Sequence, residues 1–357
     1  MRLIDLVHRW LGGLIGLVLA VLGLSGALLV HKDAWVMLPH ARDAQAQDAA
    51  TLAGAVERLM TDPDDRPRSI VFATRTFGLN RLSYAKEEGA YADQTGELVT
   101  RWSSKWERPE IWLFDLHHHL FSGDAGETVA GIAGVCGLGF VVTGVILWWP
   151  LRRSYEFRVW PRRMSRFPIL RHHRDLGVVV APLLLMTLLT GSTMVFRPVA
   201  GLILGPGVSK AVEASLAAPR APNAALAAEL DWRGMIETAR RRFPDAEVRI
   251  LSLPRKESGL IGLRMRQPRE WLPNGRTMVW FAADTGQVVA TRDALALPGR
   301  VQAYNAFYPL HAAKVGGLAY RILLSLGGVA LTLFGTLTVW TFWFQRNGRP
   351  RREAAPA

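Results

Sequence analysis

Four long apolar runs constrain this chain more than any other feature of its sequence. They cover Leu11–Val30, Val129–Trp149, Leu176–Phe196 and Ile322–Phe344, and they are almost free of charged side chains. Each run reaches the roughly 20 residues that a helix needs to cross a hydrocarbon core of about 30 Å. Because lipid offers the backbone no hydrogen bonds, we predict transmembrane helices. Buried helices of a large soluble core are disfavoured, since such helices seldom run so far without charge.

The basic residues predict the orientation of these spans. The formal net charge is +13, and the arginines cluster between the second and third spans and after the fourth. Arginine-rich short loops remain in the cytoplasm. We therefore expect both termini and the middle loop to be cytoplasmic and the two long segments to lie on the opposite side of the membrane. A nucleic-acid partner is disfavoured because the charge lies at membrane edges, where anionic lipid is the expected partner.

The first apolar run also raises the question of a cleaved signal peptide. Arg2 and Arg9 make a basic start, and Ala44-Gln45-Ala46 resembles a cleavage site. The run is too long for a typical signal core, however, and its opening motif recurs at the third run. We expect an uncleaved anchor.

The sequence contains an internal duplication. Advancing by 165 positions takes His8-Arg9 to His173-Arg174 and Gly26 to Gly191, and advancing by 194 positions takes Leu116-His117 to Leu310-His311. Each copy reads as span, outer segment, span. Both copies start on the same side, so the repeat is parallel, with its pseudo-axis along the membrane normal. Such an axis brings equivalent residues face to face.

The outer segments show a second common pattern, a helical stretch followed by strand-like runs. Each includes a hairpin turn signature, at Asp93–Leu98 and at Asp284–Val288. Pro206–Glu229, rich in Ala and Pro, reads as a linker. The predicted fold class is a membrane α-helical protein with four transmembrane helices in two parallel pseudo-repeats and two periplasmic α+β modules. The predicted divisions are 1–32 (span 1), 33–125 (module 1), 126–150 (span 2), 151–173 (basic cytoplasmic loop), 174–197 (span 3), 198–317 (module 2), 318–345 (span 4) and 346–357 (cytoplasmic tail).

Four of the nine histidines occupy matched positions beside the spans. His8 and His173 are predicted at the cytoplasmic ends, and His117 and His311 on the periplasmic side. Two imidazoles on opposing elements are the axial ligand set of a bis-histidine haem. We therefore predict two b-type haems, with these four histidines as the ligands of the haem iron.

The outer pair has competitors in the sequence. His118 and His119 adjoin His117, and His31 closes the first span; it is an alternative ligand or a partner for a haem propionate. Successive helical residues face different directions, so at most one of the three adjacent histidines points at a given iron. The choice among His31, His117, His118 and His119 stays open at this point, whereas His40 and His172 are taken as structural.

Two further groups of arginines bear on function, and two kinds of chemistry are disfavoured. Arg9 and Arg174 adjoin the inner pair and are predicted to bond haem propionates, in addition to anchoring lipid headgroups. The strand-like run with Arg264, Arg266 and Arg269 is either a solvated face or an attraction for acidic chelates. Zinc chemistry is disfavoured because HExxH and cysteine pairs are missing, and no catalytic nucleophile with a placed base is visible.

The chain resembles the PepSY-associated transmembrane-helix family, whose members carry HRxLG-like and LHxxLF-like motifs at four spans with PepSY modules between them. The matching stretches are His8–Gly12, His117–Phe121, His173–Gly177 and Leu310–His311. The family includes inner-membrane ferric-siderophore reductases that look like dihaem proteins. The resemblance implies an oxidoreductase of the ferric-chelate reductase type, which passes electrons to a periplasmic Fe(III)-siderophore and releases Fe(II).

The resemblance also bears on the electron donor. Some members carry a fused flavin or nicotinamide domain, which this sequence lacks, so quinol or a separate cytoplasmic reductase is the expected donor. Two alternatives remain open: a non-enzymatic PepSY membrane regulator, and an electron conduit to a different periplasmic redox partner.

Overall fold

The computed structural model describes residues 1–254 and 258–344. Its α-helices are α1 (Arg2–Leu29), α2 (Lys32–Trp35), α3 (Ala49–Met60), α4 (Pro109–His119), α5 (Gly123–Trp148), α6 (Arg166–Val195), α7 (Arg197–Leu204), α8 (Val208–Leu216), α9 (Trp232–Arg242), α10 (Gly299–Asn305), α11 (Phe307–His311) and α12 (Gly317–Trp343). Its strands are β1 (Ser69–Val71), β2 (Asn80–Ser83), β3 (Gly89–Ala92), β4 (Leu98–Trp102), β5 (Glu247–Ser252), β6 (Leu260–Arg266), β7 (Thr277–Ala282) and β8 (Val288–Arg292). The predicted tail 346–357 lies outside the described residues.

Four helices, α1, α5, α6 and α12, are long and apolar enough to cross a membrane. This confirms the four predicted membrane-crossing helices. The third begins at Arg166 rather than at 174, so the predicted loop 151–173 ends earlier than expected and His172 and His173 lie inside α6. Arginine and leucine are good helix formers, and arginine side chains extend away from an apolar helix to reach water, so the charges do not end the helix.

The four long helices belong to one compact unit, formed, among the described residues, by Met1–Val30, Leu113–Phe196 and residues 310–344. Within it α1 packs against α12 and α5, and α6 packs against α5 and α12. Glycines bring α1 and α12 close together: a Cβ on Gly335 would lie 2.1 Å from the Gly16 carbonyl oxygen. Such backbone proximity is typical of helices that associate in lipid.

Large apolar side chains remain exposed on the outer faces of this unit. Leu14 and Leu326 are more than half exposed, in the middle of long helices. Water-exposed apolar surface of this extent is unfavourable for a soluble protein. The surface fits contact with lipid.

The second compact unit, His31–Trp112 with Arg197–Pro309, contains all the described strands. They form one antiparallel sheet in the order β4-β3-β2-β1-β5-β6-β7-β8. β1 and β5 join the two predicted modules, with Ile70 opposite Leu251. The two α+β modules therefore share a single sheet and one core.

That core lies between one face of the sheet and the helices α3 and α9. Ile70, Leu82, Ile261 and Phe281 on the strands are buried with Val56 of α3 and other helical side chains. Both predicted hairpin turns form, with Gly96 at φ +88° and Gly286 at φ +66°, a backbone region that only glycine adopts readily. The linker prediction for Pro206–Glu229 is wrong in part, because α8 forms within it and buries Val208 and Val212.

Candidate functional site

One histidine pair lies where α4 and α11 meet the C-terminal halves of α1 and α6. His117 is near the end of α4, and His311 is the last residue of α11. Their ring centroids are 6.1 Å apart. Two metal–imidazole bonds of about 2 Å each, plus the half-widths of two rings, give a centroid separation of about 6 Å for two imidazoles on one metal ion. The spacing fits a pair of axial ligands.

Hydrogen bonds at Nδ1 hold both rings of this pair. The Nδ1 of His117 lies 2.9 Å from Ser25 Oγ, whose own hydroxyl donates to the Val21 carbonyl. The Nδ1 of His311 lies 3.0 Å from the Thr187 carbonyl oxygen and 3.4 Å from Thr190 Oγ1. A carbonyl oxygen only accepts, so Nδ1 carries the proton and Nε2 keeps its lone pair. This is the tautomer that a metal-binding histidine needs.

Two glycines create the space that these rings occupy. A Cβ on Gly26 of α1 would lie 3.0 Å from His117 Cε1, and a Cβ on Gly191 of α6 would lie 2.8 Å from His311 Cε1. Real Cβ atoms rarely or never approach so closely. Because Gly26 and Gly191 are equivalent in the sequence duplication, both halves of the repeat receive a histidine ring at the same helical position.

Burial keeps the same two histidines neutral. It lowers the pKa of His117 to about 3, with the neighbouring His311 and His118 as smaller causes. Burial also lowers the pKa of His311. Desolvation disfavours the imidazolium, so both rings are neutral near pH 7. Neutral imidazole is the form that binds a metal.

The second pair lies toward the other end of the long helices. His8 of α1 and His173 of α6 have ring centroids 6.1 Å apart, the same separation as in the first pair. The Nδ1 of His8 is 2.8 Å from Thr143 Oγ1, whose hydroxyl donates to the Gly139 carbonyl. His8 therefore also presents Nε2 with a free lone pair.

Phenylalanines from equivalent positions pack on the rings of this second pair. Phe140 contacts His8 at a centroid distance of 5.4 Å, and Phe334 contacts His173 at 4.9 Å. The Nδ1 of His173 is buried and has no hydrogen-bond partner within the part of the chain that the structure describes. An orphaned buried nitrogen is costly. Of the four paired histidine rings, His173 is therefore the one that is held least strongly by hydrogen bonds.

Helix geometry relates the two pairs to each other. His8 and Gly26 are 18 residues apart on α1, and His173 and Gly191 are 18 residues apart on α6. Eighteen residues make five turns and rise about 27 Å, so the pairs lie on the same helix faces, separated by almost the thickness of a hydrocarbon core. Leu176, Leu184, Ala330 and Phe334 form a buried apolar cluster in the same helices.

The histidines come in pairs, not in larger groups. Within residues 1–254 and 258–344, no three His, Cys, Asp or Glu side chains are placed to hold a metal ion together. Two protein ligands suit a haem, since the porphyrin supplies the other four. The donor set, the Nδ1 bonds and the glycine spaces all fit that group.

The competing histidines face elsewhere. His118 stacks on Phe114 at 5.0 Å and contacts His119 at 5.1 Å, so it lies on a different side of α4 from His117. His31 is the N-cap residue of α2 and belongs to the other compact unit. His172 is buried, and its Nε2 donates to the Val159 carbonyl at 2.9 Å. The structure favours His117 as the partner of His311.

The two predicted propionate arginines differ in their surroundings. Arg9 is half exposed, and among the described residues its one ion pair is with Asp5, at 3.5 Å. Arg174 forms two hydrogen bonds to the buried Asp175, at 2.6 and 2.8 Å, and two more to Ser154. A buried carboxylate needs a charged partner. Arg174 therefore already has a structural role, whereas Arg9 is available for a further anion.

Several residues of these sites were missed by the sequence interpretation: Ser25, Gly26, Thr143, Thr187, Thr190 and Gly191. The duplication itself contained the signal for four of them. The same shift of 165 that matches His8 with His173 also takes Ser25 to Thr190 and Gly26 to Gly191. A small residue and a hydroxyl residue side by side at matched positions are what an inserted, hydrogen-bonded ring requires.

One comparison with known protein families gave a match that covers most of the chain. The family model of the PepSY-associated TM region matches residues 6–346, which include all four long helices and both halves of the sheet. No curated protein matches the chain.

Proposed function

The chain belongs to the PepSY-associated TM family, and on that basis we propose that it binds two b-type haems and carries electrons across a membrane. The observation that supports this most strongly is the doubled histidine geometry. Both pairs have a centroid separation of 6.1 Å. His8 and His173 belong to α1 and α6, and the rings of His117 and His311 pack against the same faces of these helices at Gly26 and Gly191. A single pair would serve many purposes, but two pairs stacked along the same helices suit electron transfer from one membrane surface to the other.

In this proposal His117 and His311 hold one haem and His8 and His173 hold the other. Each haem, when bound, supplies a one-electron Fe(III)/Fe(II) couple. The protein groups contribute the rest: Ser25, Thr143 and the Thr187 carbonyl keep Nδ1 protonated, and burial keeps the outer rings neutral. Arg9 is placed to neutralise a propionate of the inner haem.

The orientation follows from the charge distribution. The loop between α5 and α6 carries exposed Arg152, Arg153, Arg162 and Arg163, which favours the cytoplasm. The His8 pair is then on the cytoplasmic side of the inner membrane, and the His117 pair and the sheet unit are on the periplasmic side. Quinol or a cytoplasmic reductase is the proposed donor.

The proposed acceptor is a periplasmic Fe(III)-siderophore. The outer haem, when bound at His117 and His311, would supply one electron, and the chelated Fe(III) of the substrate would be reduced to Fe(II), which chelators built for Fe(III) bind weakly. The step breaks no covalent bond and needs no general acid or nucleophile from the protein. An enzyme of this kind requires only an electron path and access for the chelate.

Spectroscopy of the purified protein tests the haem proposal. We expect a Soret band, a reduced-minus-oxidised spectrum of b type, and two haems per chain by pyridine haemochrome assay. His311→Ala and His173→Ala should each lose one of the two. The matched control is His118→Ala, next to His117 on α4 but turned toward Phe114, which should keep both haems. Haem-free protein, or unchanged haem content in both ligand variants, would contradict the proposal and favour the regulator.

Stopped-flow oxidation tests the acceptor. The protein is reduced with dithionite, freed of excess reductant, and mixed with ferric siderophores while the haem bands are followed and Fe(II) is trapped with ferrozine. Saturating haem oxidation with stoichiometric Fe(II) supports the reductase. Haem that stays reduced with every ferric chelate but is oxidised by a quinone or a periplasmic redox protein would replace the acceptor and leave the electron path intact.

A further inference from the structure

Three arginines converge on one face of the sheet, on the side opposite α3 and α9. Arg264 of β6 and Arg292 of β8 flank Met278 of β7, because Arg264 pairs with Met278 and Met278 pairs with Arg292. Arg276 precedes β7 by one residue and shares the face of Met278, since side chains alternate along a strand. We call Arg264, Arg276 and Arg292 the arginine cluster.

Two of the three guanidinium groups of the cluster are held by neutral neighbours. Arg276 Nε donates to Asn305 Oδ1 at 2.9 Å. Arg292 Nη1 donates to the Ala217 carbonyl at 3.2 Å, and its Cζ lies 4.7 Å from the centre of the Trp280 ring. Arg264 donates no hydrogen bond to any residue that the structure describes. Each contact orients a cation without neutralising it.

The nearby carboxylates are already occupied. Glu270 is buried and accepts from Gln267 N at 2.9 Å, from Thr277 Oγ1 at 2.7 Å and from the backbone N–H of Arg276. Asp293 accepts from Leu295 N at 2.9 Å and from the Gln267 side chain. Among the described residues, neither carboxylate makes a hydrogen bond to a side chain of the arginine cluster.

The half-buried positions make this arrangement costly. Burial, followed by repulsion from Arg264, lowers the pKa of Arg276 to about 10 and also lowers that of Arg292. Burial lowers the pKa of Arg264 as well. All three stay protonated near pH 7, so the repulsion persists. Groups held at a cost in stability are expected where a ligand compensates for them.

We propose that the arginine cluster binds a small ligand with two or more carboxylate groups. Guanidinium forks match planar carboxylates with paired hydrogen bonds. Arg264 and Arg292 start two strand spacings apart, about 10 Å at the backbone, so one compact oxyanion reaches fewer of the three than a polycarboxylate does. The site uses none of the histidines, so it stands or falls separately from the haem proposal.

Citrate is the probe, with the full chain in detergent and no added metal. Isothermal titration with sodium citrate, against sodium chloride and sodium phosphate at equal ionic strength, should show saturable binding of citrate that exceeds that of phosphate. Arg264→Gln should raise the Kd for citrate by roughly tenfold to a hundredfold, which is the loss of affinity expected for charge-assisted hydrogen bonds. Arg269→Gln is the matched control, since Arg269 is exposed and lies outside the cluster; it should bind like the parent.

Stability in chloride alone separates a ligand site from a structural one. Arg264→Gln removes repulsion and no hydrogen bond among the described residues, so its melting temperature should equal or exceed that of the parent, while its stabilisation by citrate is lost. Arg264→Lys should keep part of the binding. Equal citrate binding in all variants, tighter binding of phosphate, or a large loss of stability in chloride would overturn the proposal. His311→Ala should bind citrate normally.

Discussion

At the scale of single residues, the two halves of the repeat place different hydroxyl side chains, one serine and one threonine, beside their histidine rings. Ser25 accepts from His117, and the equivalent Thr190 lies beside His311. His311 Nδ1 also donates to the Thr187 carbonyl oxygen. The backbone bond tolerates any residue, whereas the hydroxyl does not. Function therefore constrains positions 25 and 190 more than position 187.

Removing the hydroxyls should weaken the outer haem site without abolishing it. Ser25→Ala removes the hydroxyl that accepts from His117 Nδ1, and Thr190→Val removes the hydroxyl near His311 Nδ1 while the Thr187 carbonyl remains. Loss of such outer contacts commonly costs 10–100-fold in metal affinity, so about tenfold is expected for each. The rate of haem transfer from the protein to apomyoglobin measures this loss of affinity. The control is Thr336→Val on α12, whose hydroxyl donates to backbone carbonyls of its own helix; it should leave the transfer rate unchanged.

Methyl groups at the two ring-facing glycines should have a larger effect. Gly191→Ala and Gly26→Ala place a Cβ 2.8 Å and 3.0 Å from a histidine Cε1, so the ring must move away from its Nδ1 partners. We expect loss of the outer haem with the inner haem retained, measured as the haem-to-protein ratio.

Two other glycines on the same helices provide the controls. A Cβ on Gly12 of α1 or Gly177 of α6 would meet no atom within 4 Å. Gly12→Ala and Gly177→Ala should therefore keep the outer haem. Full haem content in the Gly191→Ala and Gly26→Ala variants would show that the rings do not depend on these spaces.

At the scale of helices and strands, local sequence patterns predicted most elements but did not predict which distant strands pair. The four apolar runs and the two glycine turns have signatures within a few residues, and they formed as expected. The start of α6 at Arg166 was missed because hydropathy treats arginine as a loop residue although its backbone is a good helix former. The pairing of β1 with β5 has no local signature, since Ile70 and Leu251 are far apart in the chain.

The candidate site likewise has a part that the sequence predicts and a part that depends on the fold. The histidines were found because the motif is repeated, but the choice of His117 over His118 depends on the direction of α4, which no pattern in the sequence encodes. The arginine cluster depends on the register of three strands. A shift of one residue in β8 would move Arg292 to the opposite face of the sheet.

The cap of α3 gives a prediction at the scale of one element. Asp48 accepts from Thr51 N at 2.8 Å, and this backbone hydrogen bond, followed by one from the Thr51 side chain, lowers the pKa of Asp48. Asp48→Ala should destabilise the chain by about 1 kcal/mol near pH 7. Because the folded-state pKa is depressed, the cap contributes fully above the unfolded value and is lost as the pH falls through the folded one.

Thermal unfolding of the Asp48→Ala variant and the parent at pH 7 and near pH 3 measures this difference. The gap in melting temperature should narrow at the lower pH. Asp64→Ala, in a short 3-10 helix where Asp62 is the capping side chain, should differ little from the parent at either pH. A gap for Asp48→Ala that persists unchanged in acid would mean that the carboxylate charge is not what stabilises the cap.

At the scale of the whole molecule, the proposed direction of electron transfer depends on which side of the membrane holds the basic loop. The single cysteine makes this testable: Cys136 lies within α5, and Cys136→Ala gives a background without thiols. Arg163→Cys then reports on the loop between α5 and α6, and Arg220→Cys reports on the segment between α8 and α9; both arginines are exposed.

We expect a membrane-impermeant maleimide, applied to cells with a permeabilised outer membrane, to label the Arg220→Cys variant and to spare the Arg163→Cys variant until the inner membrane is lysed. This is the pattern that follows when an arginine-rich loop is retained in the cytoplasm. Labelling after lysis is the control for thiol reactivity in both variants. The reverse pattern would place the His8 pair on the periplasmic side, and the reductase would then have to deliver its electrons through that pair instead of through His117 and His311.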